Sequence, residues 1–231
     1  MEDSKKDGAG FNFQIPDFDS HIETSIPSYT LLISQSLALL GYYINVQRSS
    51  SAYLRYKSVD LGCTTGKFTK LLNEKYADGT GGDHPFIGLD IDLPDNLLTE
   101  DDCQFFQCDI TKDPIRKSNT YTSFFTLQFL NRSDRKEVLE KIWDALPIGG
   151  SLIIAEKVIL DDPLLQSVVQ EVHAGFKNRS FSGDDIIDKW AVLSQIMFPV
   201  TETKLEQELS IFKTVQCFWR SFNFVAYICI K

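Results

Sequence analysis

The sequence has few of the residues that indicate a disulfide framework, a metal site or a membrane span. Its five cysteines are an odd number and form no C-x-x-C pair, which argues against disulfides and a zinc knuckle. The three histidines, His21, His84 and His173, lie far apart in the sequence. They therefore suggest no metal site. No apolar run reaches the roughly 18 residues of a transmembrane helix, so we expect no membrane span.

Positive charge is also scarce. The 231 residues include 23 Lys and Arg against 32 Asp and Glu, a formal net charge of -9. An acidic surface repels a phosphate backbone at long range, which disfavours direct binding of nucleic acid. The N-terminal stretch MEDSKKDGAG is charged and lacks the apolar core of a signal peptide, so we expect a cytoplasmic protein.

Strand-like and helix-like segments alternate along the chain. This order predicts a single α/β domain over residues 18–231, after a flexible tail of residues 1–17. The expected sheet is doubly wound, Rossmann-like and mostly parallel, with a C-terminal antiparallel hairpin. We expect Ser133 to be the N-cap of the helix that follows the fourth strand. Apolar patterning predicts strands at 54–61, 86–92, 103–110, 123–130 and 151–159, and a hairpin at 214–231.

The glycine loop VDLGCTTGKFT, residues 59–69, has the strongest functional signal. A phosphate loop requires G-x-x-x-x-G-K-[ST]. Here only three residues separate Gly62 from Gly66, and Phe68 occupies the position of the metal-binding hydroxyl. A dinucleotide loop requires G-x-G-x-x-G, but Thr64 replaces its second glycine and no glycine lies three residues later. Both phosphate-binding interpretations therefore fit poorly.

The loop fits the acid-x-G-x-G-x-G pattern of S-adenosylmethionine sites better. Asp60, Gly62 and Gly66 match that pattern, while Thr64 replaces the middle glycine. Asp90 and Asp109 end the next two predicted strands, where they would accept hydrogen bonds from the ribose hydroxyls and the adenine amino group. Taken singly, these residues are also ordinary turn glycines and strand-end acids. Their succession on three strands favours S-adenosylmethionine, or S-adenosylhomocysteine, as the bound nucleoside.

Several segments resemble the carboxy-S-adenosylmethionine synthases, a branch of the class I S-adenosylmethionine-dependent methyltransferases. The resemblance implies a class I methyltransferase sheet, a homodimer and a role in modifying a wobble uridine of tRNA through a partner enzyme. The implied cofactor is S-adenosylmethionine, converted with prephenate into carboxy-S-adenosylmethionine. The matching segments are 18–29, 59–66, 88–92, 108–110, 125–157, 172–177 and 222–224.

The same resemblance implies which residues contact the cofactor. Phe124 stands where the family has a cofactor-contacting asparagine. The residues implied at the methionine part, the ribose and the adenine are Tyr29, Gly62, Cys63, Thr64, Asp90, Ile91, Asp109 and Ile110.

One departure from the family decides which reaction we expect. Trp190 stands where the family has an arginine that pairs with the extra carboxylate of carboxy-S-adenosylmethionine, and an unpaired desolvated carboxylate is costly. Four basic residues could replace that arginine, although each is equally an ordinary surface charge: Lys177, Arg179, Lys189 and Arg220. The sequence therefore favours methyl transfer to an unidentified small-molecule acceptor. A carboxy-S-adenosylmethionine synthase and a non-catalytic cofactor-binding partner are the alternatives.

Trp190 and Arg220 are the candidate residues of an acceptor pocket. Arg220 lies in the aromatic stretch CFWRSFNF, residues 217–224, which also fits the core of the terminal hairpin. We assign no catalytic residue, because transfer from a sulfonium depends mainly on positioning and needs a base only if the nucleophile holds a proton.

Overall fold

The computed structural model describes residues 17–48, 56–77, 85–98 and 103–231. The predicted flexible tail, apart from Asp17, lies outside these ranges, as does His84. The described helices are α1 Phe18–Ser25, α2 Tyr29–Arg48, α3 Lys67–Tyr76, α4 Asp95–Leu98, α5 Arg132–Ala145, α6 Pro163–Lys177, α7 Gly183–Ile196 and α8 Glu202–Leu209. The strands are β1 Ser58–Leu61, β2 Phe86–Asp90, β3 Gln104–Gln107, β4 Thr120–Phe124, β5 Ser151–Lys157, β6 Thr214–Ser221 and β7 Phe224–Ile230.

All seven strands form one sheet in the order β3-β2-β1-β4-β5-β7-β6. The pairs among β1 to β5 are parallel, whereas β7 runs antiparallel to both β5 and β6. The predicted doubly wound sheet with a C-terminal hairpin is confirmed. The strand order reverses between β1 and β4, and ligands of open α/β sheets bind outside the carboxyl ends of the strands at such a point.

The central strands are buried on both faces. All four residues of β1 and the first six of β5 are buried. Buried parallel strands read as continuous apolar runs, and residues 152–155 of β5 form such a run, whereas β1 also buries Ser58 and Asp60. Of the described helices, none combines the length and apolar character that crossing a membrane demands.

Two local predictions were wrong. Strand β4 spans Thr120–Phe124 rather than 123–130, because Phe125 has a positive φ of 58° and ends the extended backbone. A 3-10 turn follows at Leu127–Phe129. The N-cap of α5 is Asn131, not Ser133: the Asn131 side chain accepts hydrogen bonds from the backbone N–H groups of Ser133 and Asp134. Asn and Ser cap equally well, so composition alone could not choose between them.

Candidate functional site

A cavity of about 1370 Å³ lies at the carboxyl ends of the parallel strands. The loop after β1, the ends of β2 and β4 and the segment after β3 form one side of it, and α1, α6 and α7 contribute to the rest. Drug-sized ligands typically occupy about 300 to 1,000 Å³, so this volume exceeds the needs of one nucleoside cofactor. A second pocket, at α5 and α8, measures only about 220 Å³.

The glycine loop has the left-handed backbone that its sequence pattern requires. Gly62, Thr64 and Gly66 have φ values of 74°, 50° and 72°. Thr64 thus keeps the conformation that the replaced glycine would adopt without strain, a feature often found at functional sites. Gly62 and Thr64 line the cavity together with Cys63. Gly66 does not line it: a Cβ there would lie 2.6 Å from the Phe105 ring, so this glycine serves packing.

Two carboxyl groups lie beside this loop. Asp60 is 4% exposed and accepts hydrogen bonds from the hydroxyls of Thr122, at 2.7 Å, and Thr69, at 3.1 Å. Burial, with repulsion from Asp90, raises its pKa to about 6. Asp90 accepts from the backbone N–H of Thr64 at 2.8 Å, and burial raises its pKa as well. A cationic ligand would stabilise the ionised form of both groups.

Asp109 is more fully engaged than the sequence suggested. One carboxylate oxygen accepts from the backbone N–H and the hydroxyl of Thr111, at 3.0 and 2.6 Å. The other lies 2.7 Å from the Lys112 ammonium. Burial opposes ionisation, but the bonds from Lys112 and Thr111 outweigh it and lower the pKa of Asp109. A bound adenine amino group would have to share an oxygen that already accepts one of these bonds.

Aromatic side chains form the wall near the end of β4. Tyr29 and Phe125 have ring centroids 6.4 Å apart. Phe124 packs edge-on against Phe68 at 4.7 Å. Tyr29 and Phe124 both line the cavity, as do Ile91 and Ile110. Burial raises the pKa of the Tyr29 hydroxyl well above its usual value, so this residue stays neutral.

Helix α1, which was not predicted from the sequence, lies at the cavity and is bound to the glycine loop on one side and to α6 on the other. The hydroxyl of Thr65 donates to the Asp19 carboxylate at 2.9 Å, and Lys67 pairs with Glu23 at 2.9 Å. Its last residue, Ser25, accepts a 2.8 Å hydrogen bond through its carbonyl from Nε2 of His173. Because a carbonyl only accepts, the His173 ring must carry its proton on Nε2 in this contact.

Besides Lys67 and Lys112, which pair with Glu23 and Asp109, five basic side chains line the cavity: Lys157, Lys177, Lys189, His21 and His173. Burial lowers the pKa of Lys177 and Lys189 to about 8, and that of His21 and His173 to about 4. The sequence offered Lys177 and Lys189 only as substitutes for the family's arginine and did not predict the group as a whole. A signal existed in VHAGFK, since His173 and Lys177 are four residues apart and so share one face of α6.

The structure does not bring Trp190 or Arg220 to the cavity. Trp190 lies on α7 with 61% of its surface exposed. Arg220 lies on β6 and pairs with Glu202 of α8. Both positions argue against a role in an acceptor pocket at this cavity. Within the described residues, no three His, Cys, Asp or Glu side chains are grouped as a metal site requires.

The fold is that of the class I S-adenosylmethionine-dependent methyltransferases. Human N-acetylserotonin methyltransferase in complex with SAM matches with a TM-score of 0.51 at 17% identity, over 92% of this chain and 64% of that chain. LepI in complex with SAM matches with a TM-score of 0.52 at 15% identity, over 81% of this chain and 46% of that chain. The chain thus spans less than two thirds of either protein, and such identities concern the fold alone.

In sequence, the chain is similar to the carboxy-S-adenosyl-L-methionine synthases. Carboxy-S-adenosyl-L-methionine synthase of Helicobacter pylori strain J99 is 26% identical over 93% of this chain and 90% of its own length. The enzymes of Hydrogenovibrio crunogenus and Shewanella oneidensis are each 28% identical over 93% of this chain, covering 85% and 88% of theirs. No protein-family model matches the chain. The chain is therefore a homologue of these synthases, and the resemblance noted in its sequence is confirmed.

Proposed function

We propose that this protein is an S-adenosylmethionine-dependent transferase that moves a methyl group to a small-molecule acceptor. The observation that carries this proposal is the acid-lined half of the cavity beside the glycine loop, where Asp60 is buried, Asp90 is half-buried and both have raised pKa values. S-adenosylmethionine carries a sulfonium and an ammonium cation, and such a ligand would stabilise both carboxylates. The remaining volume accommodates an acceptor.

The residues of the described site fit this cofactor. Asp90 already orients the loop through Thr64, and a carboxylate has about four lone-pair positions, so it can also accept from ribose hydroxyls. When bound, the cofactor supplies a methyl group already activated by positive sulfur. The chain would then position the acceptor and exclude water. The residues that would hold the cofactor are Tyr29, Gly62, Cys63, Thr64, Asp90, Ile91, Asp109 and Ile110.

Two other functions remain as candidates. The curated relatives are named carboxy-S-adenosyl-L-methionine synthase, which supports synthesis of that compound, with prephenate as co-substrate, and an indirect role in tRNA modification. The other candidate is a partner protein that binds the cofactor but has no catalytic activity. We propose a cytoplasmic location for the protein, where tRNA and small-molecule acceptors are both available.

We also propose a homodimer. Leu164, Val168 and Val172 are exposed and follow one another at intervals of four residues, so they form one apolar face of α6. Ile187 and Trp190 expose further apolar surface on α7. Large exposed apolar patches of this kind often mark protein contacts. Light scattering of the purified protein should give twice the mass of one chain.

Mass spectrometry of the ligand retained by the purified protein, with calorimetry, tests the function. S-adenosylmethionine or S-adenosylhomocysteine should be found, whereas carboxy-S-adenosylmethionine would favour the synthase. Asp90→Ala should weaken S-adenosylmethionine binding at least about 10-fold, because charged hydrogen bonds contribute about 1.5 to 3 kcal/mol each. Asp144→Ala, on the exposed surface of α5, is the matched control and should bind normally. A wild-type protein that binds neither nucleoside would contradict the proposal.

A further inference from the structure

One end of the cavity collects basic side chains from four elements, and its positive charge comes from the lysines, since the low pKa of His21 keeps that ring neutral. Lys157 ends β5, Lys177 ends α6, Lys189 lies on α7 and His21 on α1. His173 lies one turn before Lys177 on α6. Lys177 is close enough to Lys157 that mutual repulsion, added to burial, lowers its pKa. Lys189 in turn donates to the ring of His21.

Two of these lysines lack a counter-ion in the part of the chain that the structure describes. Among those residues, neither Lys157 nor Lys177 forms a salt bridge. No described carboxylate lies close enough to raise the pKa of either lysine, although several acids line the same cavity. Desolvated ammonium groups that repel each other are unfavourable in the folded state. An anion placed between them would remove both the repulsion and part of the desolvation cost.

The wall beside these lysines is apolar and aromatic. Lys157 lies 5.7 Å from the centroid of the Phe224 ring, which also meets the His173 ring edge-on at 5.1 Å. Phe125 packs against Phe224 at 5.8 Å. Apolar side chains of α1 and α7, among them Ile22 and Ile196, line the same cavity. The site therefore offers positive charge next to a hydrophobic surface, which suits an acid with an apolar body better than a bare inorganic anion.

We propose that Lys157 and Lys177 form the acceptor subsite and bind the carboxylate of a small apolar acid. This inference rests on the proposed transferase function and specifies its substrate class. The carboxylate is the binding group rather than the methyl acceptor, because pairing with two ammonium groups reduces its nucleophilicity. The nucleophilic atom lies elsewhere in the acid, towards the glycine loop. The sequence had offered Lys177 only as a substitute for the family's arginine and had given Lys157 no role.

Ligand-observed NMR on protein saturated with S-adenosylhomocysteine tests the subsite. The probes are 3-phenylpropionate, its uncharged amide and inorganic phosphate. The acid should bind at least about 10-fold more tightly than the amide, because only the carboxylate forms ion pairs with the two ammonium groups. Lys177→Met should weaken binding of the acid about 10-fold and leave binding of the amide unchanged. Lys213→Met, an exposed lysine outside the cavity, should have no effect.

The proposal would be overturned if the acid and the amide bound equally well, or if the acid showed no saturable binding. It would also be overturned if phosphate bound more tightly than the acid, or if the Lys177→Met variant bound the acid as tightly as the wild type does. Calorimetry of S-adenosylhomocysteine keeps the two hypotheses apart. If the nucleoside binds and the acid does not, only the subsite fails. If the nucleoside does not bind, the transferase function fails. Should Lys177→Met not fold by circular dichroism, Lys157→Met replaces it with the same expectation.

Discussion

At the scale of single residues, Gly62 combines two constraints, one on its backbone conformation and one on the space beside its Cα. Its φ of 74° is left-handed, and a Cβ placed there would lie 2.2 Å from the hydroxyl oxygen of Thr126. That hydroxyl donates to the carbonyl of Leu61 at 3.0 Å, so it is not free to move aside. Backbone conformation and packing therefore both require glycine at the first turn of the glycine loop.

We expect Gly62→Ala to lower the free energy of unfolding by clearly more than the strain of a left-handed alanine, which is about 1 to 2 kcal/mol. Gly149→Ala isolates that strain, since Gly149 has a φ of 79° but a Cβ added there would meet no atom of the described residues within 4 Å. Gly175→Ala, inside α6 and equally unobstructed, should be neutral or slightly stabilising. Urea unfolding measures all three. Equal losses for Gly62→Ala and Gly149→Ala would show that the Thr126 contact does not matter.

At the scale of elements, α1 is tied to the glycine loop by hydrogen bonds and ion pairs rather than by a buried core. None of its residues is buried. Its contacts to Thr65, Lys67 and His173 lie at the edge of the cavity. An element held this way has low local stability and can open without unfolding the sheet. We therefore expect α1 to control ligand release.

Thr65→Val removes the hydroxyl that donates to Asp19 while keeping the size of the side chain. Loss of one such bond, about 1 kcal/mol, should accelerate dissociation of S-adenosylhomocysteine several-fold and leave the thermal midpoint nearly unchanged. Stopped-flow fluorescence measures the rate. Thr203→Val is the control, because Thr203 donates to Asp161 away from the cavity. A dissociation rate equal to that of the wild type would mean that α1 does not restrain the ligand.

At the scale of the whole molecule, stability depends on buried groups whose pKa values move in opposite directions. Burial raises the pKa of Glu156 to about 8, although Arg135 and the N–H of Leu127 oppose this shift. The folded state therefore binds a proton at Glu156 between its ordinary pKa of 4.5 and about 8, where the unfolded state does not. This contribution makes the protein less stable as pH rises through that window. His21 and His173, with pKa values lowered to about 4, act in the opposite sense between about 4 and 6.5.

Glu156→Gln keeps the shape of the side chain and its acceptor oxygen but cannot titrate. Relative to this variant, the wild type should lose stability progressively as pH rises from about 4.5 to about 8. Urea midpoints at several pH values between these limits give the difference. Glu140→Gln changes an exposed carboxyl of α5 that pairs with Lys136 at 3.7 Å and should show no such trend. A constant difference between wild type and Glu156→Gln would refute the assigned pKa.

The sequence by itself determined the sheet and one half of the site. Continuous apolar strands, the left-handed loop at Gly62 and the acids at Asp60 and Asp90 are local patterns whose physical requirements can be recognised without coordinates. Helices α1 and α8 were not predicted, because each has only eight residues and short helices gain their stability from tertiary contacts.

Only the tertiary structure decided the other half of the site, the basic side chains that line the cavity. Lys157 and Lys177 are 20 residues apart in the sequence, and nothing in that spacing indicates that β5 and α6 direct both towards one cavity. Trp190 aligned with a functional position of relatives, yet the structure leaves it on an exposed face of α7. The physical reason is the same in both cases. Loop geometry is local to a few residues, whereas the convergence of charges and the exposure of a helix face depend on how distant elements pack.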